Sequence, residues 1–222
     1  MPVTTLLLAS SSPRRRQLLA LGGWSFTVKG SDSDETQLPG EAPADYVLRL
    51  AEAKARSLVG ESRGEQIIIG ADTAVVDGGD VLGKPADAKD AQYMLRRLRG
   101  HTHQVYTGLA VLRLSDGTLL TDLCVTDVPM RDYSDEEIAA YIRTGDPLDK
   151  AGAYGIQHPQ FRPVRDMRGC HPSVMGLPLC RLTRLLEELG VPPASGITAH
   201  CDEHPDDPCP VYSAVMQAES PG

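Results

Sequence analysis

An aspartate in the middle of an apolar run constrains this chain more than any other feature. The segment Gln66–Val76 reads QIIIGADTAVV, a strand flanked by turn residues and apolar except around Asp72. Burying an unpaired carboxylate costs several kcal/mol or shifts its pKa strongly. Asp72 is therefore expected to face a cation, a metal ion or a water-filled cleft, or to cap a turn at the strand end. Gly70, two residues earlier, permits close backbone approach of another group.

The rest of the pattern alternates strands and helices. Strands are expected at Thr5–Ala9, Trp24–Lys29, Gln66–Val76 and Val81–Leu82, and a long hairpin at Gln104–Leu114 and Leu119–Pro129 around Asp116-Gly117. Helices are expected at Pro13–Leu21, Ala44–Leu58, Asp87–Leu98, Ser134–Arg143 and, as the last one, Leu177–Leu189. Ser134 and Glu137 form a capping-box pattern. A hairpin within such an alternation implies an α/β fold with a mixed rather than purely parallel sheet. Residues 1–192 read as one domain. Residues 193–222 read as a Pro-rich acidic extension without periodicity, carrying five carboxylates and no Lys or Arg.

Two further features place charge where charge is costly, and two more set charged or polar side chains on glycine-containing loops. Arg14, Arg15 and Arg16 follow an N-cap at Ser12 and a proline at Pro13, so they fall in the first turn of a helix. The positive end of the helix dipole disfavours cations there, unless an anion occupies the spot. The alternative is a solvated basic turn. On the helix 44–58, Lys54 falls on the stripe of Val47, Leu50 and Ala51, which fits either a snorkelling lysine or a cation lining a cleft. Lys84 stands in LGKP on a Gly/Pro loop, a plausible phosphate contact that lacks the other residues of a Walker A loop. The stretch DPLDKAGAYGIQ sets Asp146, Asp149, Lys150 and Gln157 among small residues. Its glycines allow close approach to a ligand or make a tight connection, and an amide such as Gln157 can read a base edge.

Composition narrows the function classes. With 41% apolar and 23% charged residues the chain has material for a full core. No apolar run approaches the length of a membrane span. No charged segment precedes the short apolar run Leu6–Ala9, so a secretory signal is not expected and a cytoplasmic location is. A net charge of −8 argues against binding nucleic acid or an anionic membrane through bulk charge. Five cysteines, an odd number, fit a reducing compartment. Cys170, Cys180, Cys201 and Cys209, with His171, His200 and His204 nearby, form a soft-metal site for Zn²⁺ or an Fe–S cluster, or else two of the cysteines are simply buried and the tail is disordered. A Cys201–Cys209 disulfide is a further alternative.

Taken together, LASSSPRR, Asp34-Glu35, EAKA around Lys54, GADT, LGKP, MLRRLRGHTHQVYTG, DPLDKAGAYGIQ and VMGLPL, in order over residues 5–190, resemble the Maf family of nucleoside triphosphate pyrophosphatases. That resemblance implies a fold like that of inosine triphosphate pyrophosphatases: a mixed, strongly twisted sheet flanked by helices, with a central cleft. It implies hydrolysis of a nucleoside triphosphate to the monophosphate and pyrophosphate with Mg²⁺ or Mn²⁺, a house-cleaning role in nucleotide metabolism, and a homodimer. By position, Ser10, Arg14 and Arg15 match the phosphate-contacting segment, and Lys54 and Lys84 match lysines facing the triphosphate. Asp72 matches the proton acceptor, and Glu35 an acidic position of the metal site that Asp72 shares. Arg14, Thr73 and Gln157 match positions linked to substrate choice, and Lys150 joins the substrate-binding set. DKAGAYGIQ resembles the dTTP/UTP branch. The alternatives are another base preference such as 7-methyl-GTP, or an interaction protein inhibiting septum formation. His158-Pro159 departs from the pattern, which commonly has glycine there.

Overall fold

Strand β1 (Thr5–Ala9) lies between β2 (Phe26–Lys29) and β3 (Gln66–Asp77), parallel to both. The computed structural model describes residues 5–62, 64, 66–194, 196–197 and 211–217. β3 pairs antiparallel with β5 (Thr102–Arg113), and β5 with β6 (Leu119–Pro129). The sheet order is therefore β2-β1-β3-β5-β6, mixed as the hairpin implied, with β4 (Asp80–Leu82) paired to the far end of β3.

β3 and β5 are long enough to run through two cores. Their near halves bear Ile67, Ile69, Leu109 and Val111, packed under α1 (Pro13–Leu21) and α6 (Leu179–Glu188). Val75 and Val105 on the far halves pack with α3 (Ala88–Leu98) and α4 (Asp135–Arg143). The opposite face of the sheet is covered by α2 (Pro43–Ser57), whose Ala51 and Ala55 meet Leu7, Ile68 and Ala110.

One topological detail positions the site. β1 pairs with β3 only up to Leu8↔Ile69, and β4 begins to pair only at Val75↔Leu82. Between these, residues 70–74 of β3 have no partner strand on that edge among the described residues. The gap opens at the carboxyl end of β1, the usual place for a ligand crevice in an open sheet. Asp72 and Thr73 sit in it, with their side chains on opposite faces of the strand.

Some boundaries differ from expectation. β2 starts at Phe26, not Trp24, because Trp24 turns into the core and its Nε1 donates to the carbonyls of Val191 (3.3 Å) and Pro192 (3.1 Å). The helix expected at Leu177–Leu189 starts at Leu179, after Pro178 at its N-cap, and a one-turn helix α5 (His171–Val174) precedes it. It is not the last helix, because α7 (Tyr212–Gln217) follows within the acidic extension. Six residues are too few for a periodic signal. The segment after Pro192 returns to the body: Ala194 N donates to Gly22 O at 2.9 Å and Ile197 is buried in the core.

The core also holds a titratable group. His103 on β5 is 2% exposed, with Nε2 2.8 Å from Tyr154 Oη and Nδ1 without a partner among the described residues. Burial lowers its pKa to about 4. The unfolded chain takes up this proton near pH 6.5, so the stability contributed by neutral His103 is present above that pH and is lost as pH falls toward 4. Chemical denaturation is expected to show a loss of about 3 kcal/mol over this window, much reduced in His103→Gln. An unchanged slope in the variant would exclude His103 as its source.

Candidate active site

Helix α2 lies against the sheet at two glycines. A Cβ on Gly70 would stand 2.1 Å from Ala51 O, and one on Gly108 would stand 2.6 Å from Val47 O. The close approach expected at Gly70 is therefore made by α2 itself rather than by a ligand. It carries Lys54, on the buried stripe of α2, down to Asp72 on β3. The Lys54 Nζ donates to Asp72 Oδ1 at 2.5 Å and lies 2.6 Å from Glu35 Oε1. Lys54 thus does not snorkel away from the stripe. Its ammonium ties two carboxylates from different segments, with Lys54 and Asp72 buried and Glu35 about half exposed.

The two carboxylates are driven in opposite directions. Burial pushes the Asp72 pKa up, against the pull of Lys54 and Arg15, and the charge of Glu35 adds to the rise. Glu35 bears a desolvation cost too, but Lys54, with Lys84 and Arg15 behind it, holds its carboxyl below the ordinary range. One group is poised to take a proton while the other stays ionised, the pattern expected of an acid–base pair with separate roles.

On the other face of β3, Arg15 braces the cleft. Its Nη2 donates to Thr73 Oγ1 (3.2 Å), its Nε to Gly176 O (2.9 Å) and its Nη1 to Ser10 Oγ (3.4 Å). Thr73 Oγ1 shares a hydrogen bond with Thr107 Oγ1 at 3.0 Å, and Thr107 Oγ1 donates to Ser173 O at 2.9 Å. The guanidinium thus links α1, β3 and the turn after α5. Thr107 and the carbonyls of Ser173 and Gly176 were not candidates from sequence. The one available signal was that Thr107 falls opposite Thr73 in the ladder, a polar pair between two apolar strands.

Most of these groups, though not Thr107 or Ser173, line a single cleft of about 530 Å³, within the size range of pockets that hold small ligands. Ser10, Arg14, Arg15, Glu35, Lys54, Asp72, Thr73, Lys84 and Lys150 all border it. Arg16 does not. Gln157 is exposed and outside the lining, although its neighbour Ile156 is part of it. The glycines of the 152–155 stretch also serve internal contacts. A Cβ on Gly152 would meet Val75 at 2.9 Å, and one on Gly155 would meet Lys150 Cε at 3.1 Å. Tyr154, Val75, Val105, Ile156 and Val174 form an apolar end to the cleft.

The cations differ in availability. Lys150 Nζ is held by Asp146 Oδ1 (2.9 Å) and Asp149 Oδ1 (2.6 Å), so its charge is already opposed. Arg14 and Lys84 border the cleft with no ion-pair partner among the described residues. Ser12 caps α1 as expected, accepting from Arg15 N at 3.5 Å, and Arg14 follows Pro13 in that first turn. A helix N-terminus, an uncommitted guanidinium and an uncommitted ammonium together form an anion cradle.

Asp72 and Glu35 are hard oxygen donors on one cleft, suited to Mg²⁺ or Mn²⁺. Among the described residues no third His, Cys, Asp or Glu joins them in metal-holding geometry. Phosphate oxygens and water would have to complete the shell, which is how Mg²⁺ is commonly held. The residues therefore fit a substrate-shared divalent ion. Of the four cysteines considered for a soft metal, Cys170 and Cys180 are buried and Cys201 and Cys209 lie outside the described residues. Among the described residues, Cys170 lies against Cys124.

A family model described as Maf-like protein matches residues 5–189. A dTTP/UTP pyrophosphatase of Anaeromyxobacter dehalogenans (strain 2CP-C) is 49% identical over 84% of this chain and 95% of its own length. Proteins of the same name from Hahella chejuensis (strain KCTC 2396) and Escherichia coli O157:H7 are 47% and 46% identical, over 84% and 83% of this chain and 92% of theirs.

Proposed function

The chain belongs to the Maf family, and from that premise we propose that it hydrolyses dTTP and UTP to the nucleoside monophosphate and pyrophosphate. The observation that carries this reading is the convergence of Arg14, Arg15, Lys54 and Lys84 with Asp72 and Glu35 on one cleft. The relatives at 46–49% identity, each named a dTTP/UTP pyrophosphatase, support the same substrate class. No helix among the described residues is long and apolar enough to cross a membrane. The reading places the enzyme in the cytoplasm with its nucleotide pool, as a homodimer.

The geometry supports the following roles. Arg14, Lys84 and the α1 N-terminus bind the triphosphate, the groups there with charge to spare. Arg15 holds the shape of the cleft through Thr73 and Gly176, and its charge adds to the field. Asp72, buried and raised in pKa, accepts the proton of the water that attacks the α-phosphorus. Lys54 holds that carboxylate oriented at 2.5 Å and keeps Glu35 ionised. Asp72 and Glu35 would hold a divalent ion, which would polarise the phosphoryl oxygens and offset their charge. Thr73 sits at the junction of the phosphate end and the apolar end, where the base stacks beside Tyr154 and Ile156. Gln157 reads the imide edge of uracil or thymine from the rim next to Ile156.

Pyrophosphate release over a panel of normal and modified nucleoside triphosphates, each with Mg²⁺ and Mn²⁺, tests the reading. The highest kcat/KM is expected for UTP, dTTP or their modified forms. A purine nucleotide at the top of the series would overturn the base preference. Arg14→Ala and Lys84→Ala should each raise KM for UTP about 10- to 100-fold through loss of a charged hydrogen bond, with Lys84 at the lower end because it is exposed. Unchanged KM in both would remove them from the phosphate cradle.

A further inference from the structure

A second hollow, of about 380 Å³, shares no lining residue with the cleft. Three cysteines border it: Cys124 on β6, Cys170 at the N-cap of α5, and Cys180 on α6. Gly169 brings the first two together. A Cβ there would stand 2.8 Å from Thr126 Cγ2, so only glycine lets this loop lie so close to β6. The Cys124 and Cys170 side chains lie against each other, and Cys124 Sγ lies 3.8 Å from Thr126 Oγ1. Arg181, held by Asp122 Oδ1 at 2.7 Å, turns its charge toward Cys124.

The pair is chemically unequal. The contact with Cys170, together with Ser173, Arg181 and Thr126, pulls the Cys124 thiol below its ordinary value despite its burial. Cys170 is pushed up by the same contact and by burial. A thiolate beside an arginine and bordering a hollow is the setting of a reactive cysteine, and a thiol in contact with it is a resolving partner.

We propose that Cys124 and Cys170 are a reversible modification site, a dithiol that hydroperoxides oxidise to a disulfide. In the first step the Cys124 thiolate attacks the peroxide. An S–O bond forms, the O–O bond breaks, and the departing alkoxide or hydroxide takes up a proton as alcohol or water. In the second step the Cys170 sulfur attacks the Cys124 sulfenic acid. The S–S bond forms, the S–O bond breaks, and hydroxide leaves with the thiol proton as water. The two thiols lose two electrons and the peroxide gains them. Cys170 accepts from Ser173 N at 3.1 Å through its carbonyl, and Ser173 O in turn holds Thr107. The new bond would therefore tie β6 to the segment that walls the cleft.

The test uses the full chain, reduced, treated with hydrogen peroxide, then unfolded in N-ethylmaleimide and mapped as tryptic peptides. The peptide carrying Cys170 runs from Gly169 to Arg181 and also holds Cys180, so fragmentation within it identifies the linked sulfur. A Cys124–Cys170 link, lost on adding dithiothreitol, is expected. In Cys170→Ala, dimedone is expected to trap Cys124 as the sulfenic acid. The first arm needs no substitution and decides the matter if that variant does not fold. The proposal is overturned if both sulfurs still carry maleimide after a peroxide dose that oxidises free glutathione, or if either pairs with Cys180, Cys201 or Cys209.

Discussion

Asp72→Asn is expected to lower kcat for UTP by about 10²- to 10⁴-fold, the usual contribution of a positioned general base, while the protein stays folded. The amide keeps the size of the carboxylate and still accepts from Lys54, and Lys54 retains Glu35 as a charged partner. The effect on stability has a definite sign. Because the folded-state pKa of Asp72 is raised, its contribution to stability is full below the ordinary aspartate range and is lost as pH rises through the raised value. Ionised Asp72 therefore costs stability at neutral pH, and the Asn variant should not melt earlier for want of that charge. The wild-type kcat/KM should fall on the acid side at a pH above the ordinary aspartate value, and this limb should be missing from whatever activity the variant retains. Near-normal kcat in Asp72→Asn would remove Asp72 from the mechanism.

The second large effect is expected from a residue with no functional group. Gly70→Ala puts a methyl 2.1 Å from the carbonyl of Ala51 and 2.9 Å from Ala55 N. Both are backbone atoms of α2, so the helix must move and no side-chain rotation relieves the contact. We expect a loss of about 3 kcal/mol or more, or a melting temperature lower by about 10 °C for a chain of this size. Activity should fall with it under conditions where the variant is still folded, because the displaced helix carries Lys54 away from Asp72. Gly60→Ala is the control: nothing lies within 4 Å of that Cβ and its backbone is not left-handed. It should stay within about 0.5 kcal/mol of the parent. Equal stability of the two variants would mean that α2 does not rest on the glycine.

Part of this site could be read in the sequence, for a physical reason. A charge in an apolar run is conspicuous, and Asp72 and Lys54 both stand out that way. That they meet was not legible, because it depends on two glycines, 70 and 108, seating a helix across the sheet. Gly70 itself suggested close approach, and only the fold identifies the approaching group as the α2 backbone. The Arg15–Thr73–Thr107 chain was hidden for a similar reason. It ends on main-chain carbonyls of Ser173 and Gly176, which any residue carries. Element ends went astray where a side chain outside the periodic pattern decided them, as Trp24 did for β2 and Pro178 for α6. The gap in β3 pairing that creates the cleft comes from the unequal lengths of β1 and β3, visible only once their register is fixed.

The central claim, that this cleft directs water to the α-phosphorus of a pyrimidine nucleoside triphosphate, is tested most directly by running the reaction on UTP in ¹⁸O-labelled water. The account predicts UMP and pyrophosphate in equal amounts, with one ¹⁸O in the phosphate of UMP and none in pyrophosphate. Label in the pyrophosphate, or products UDP and inorganic phosphate, would contradict it.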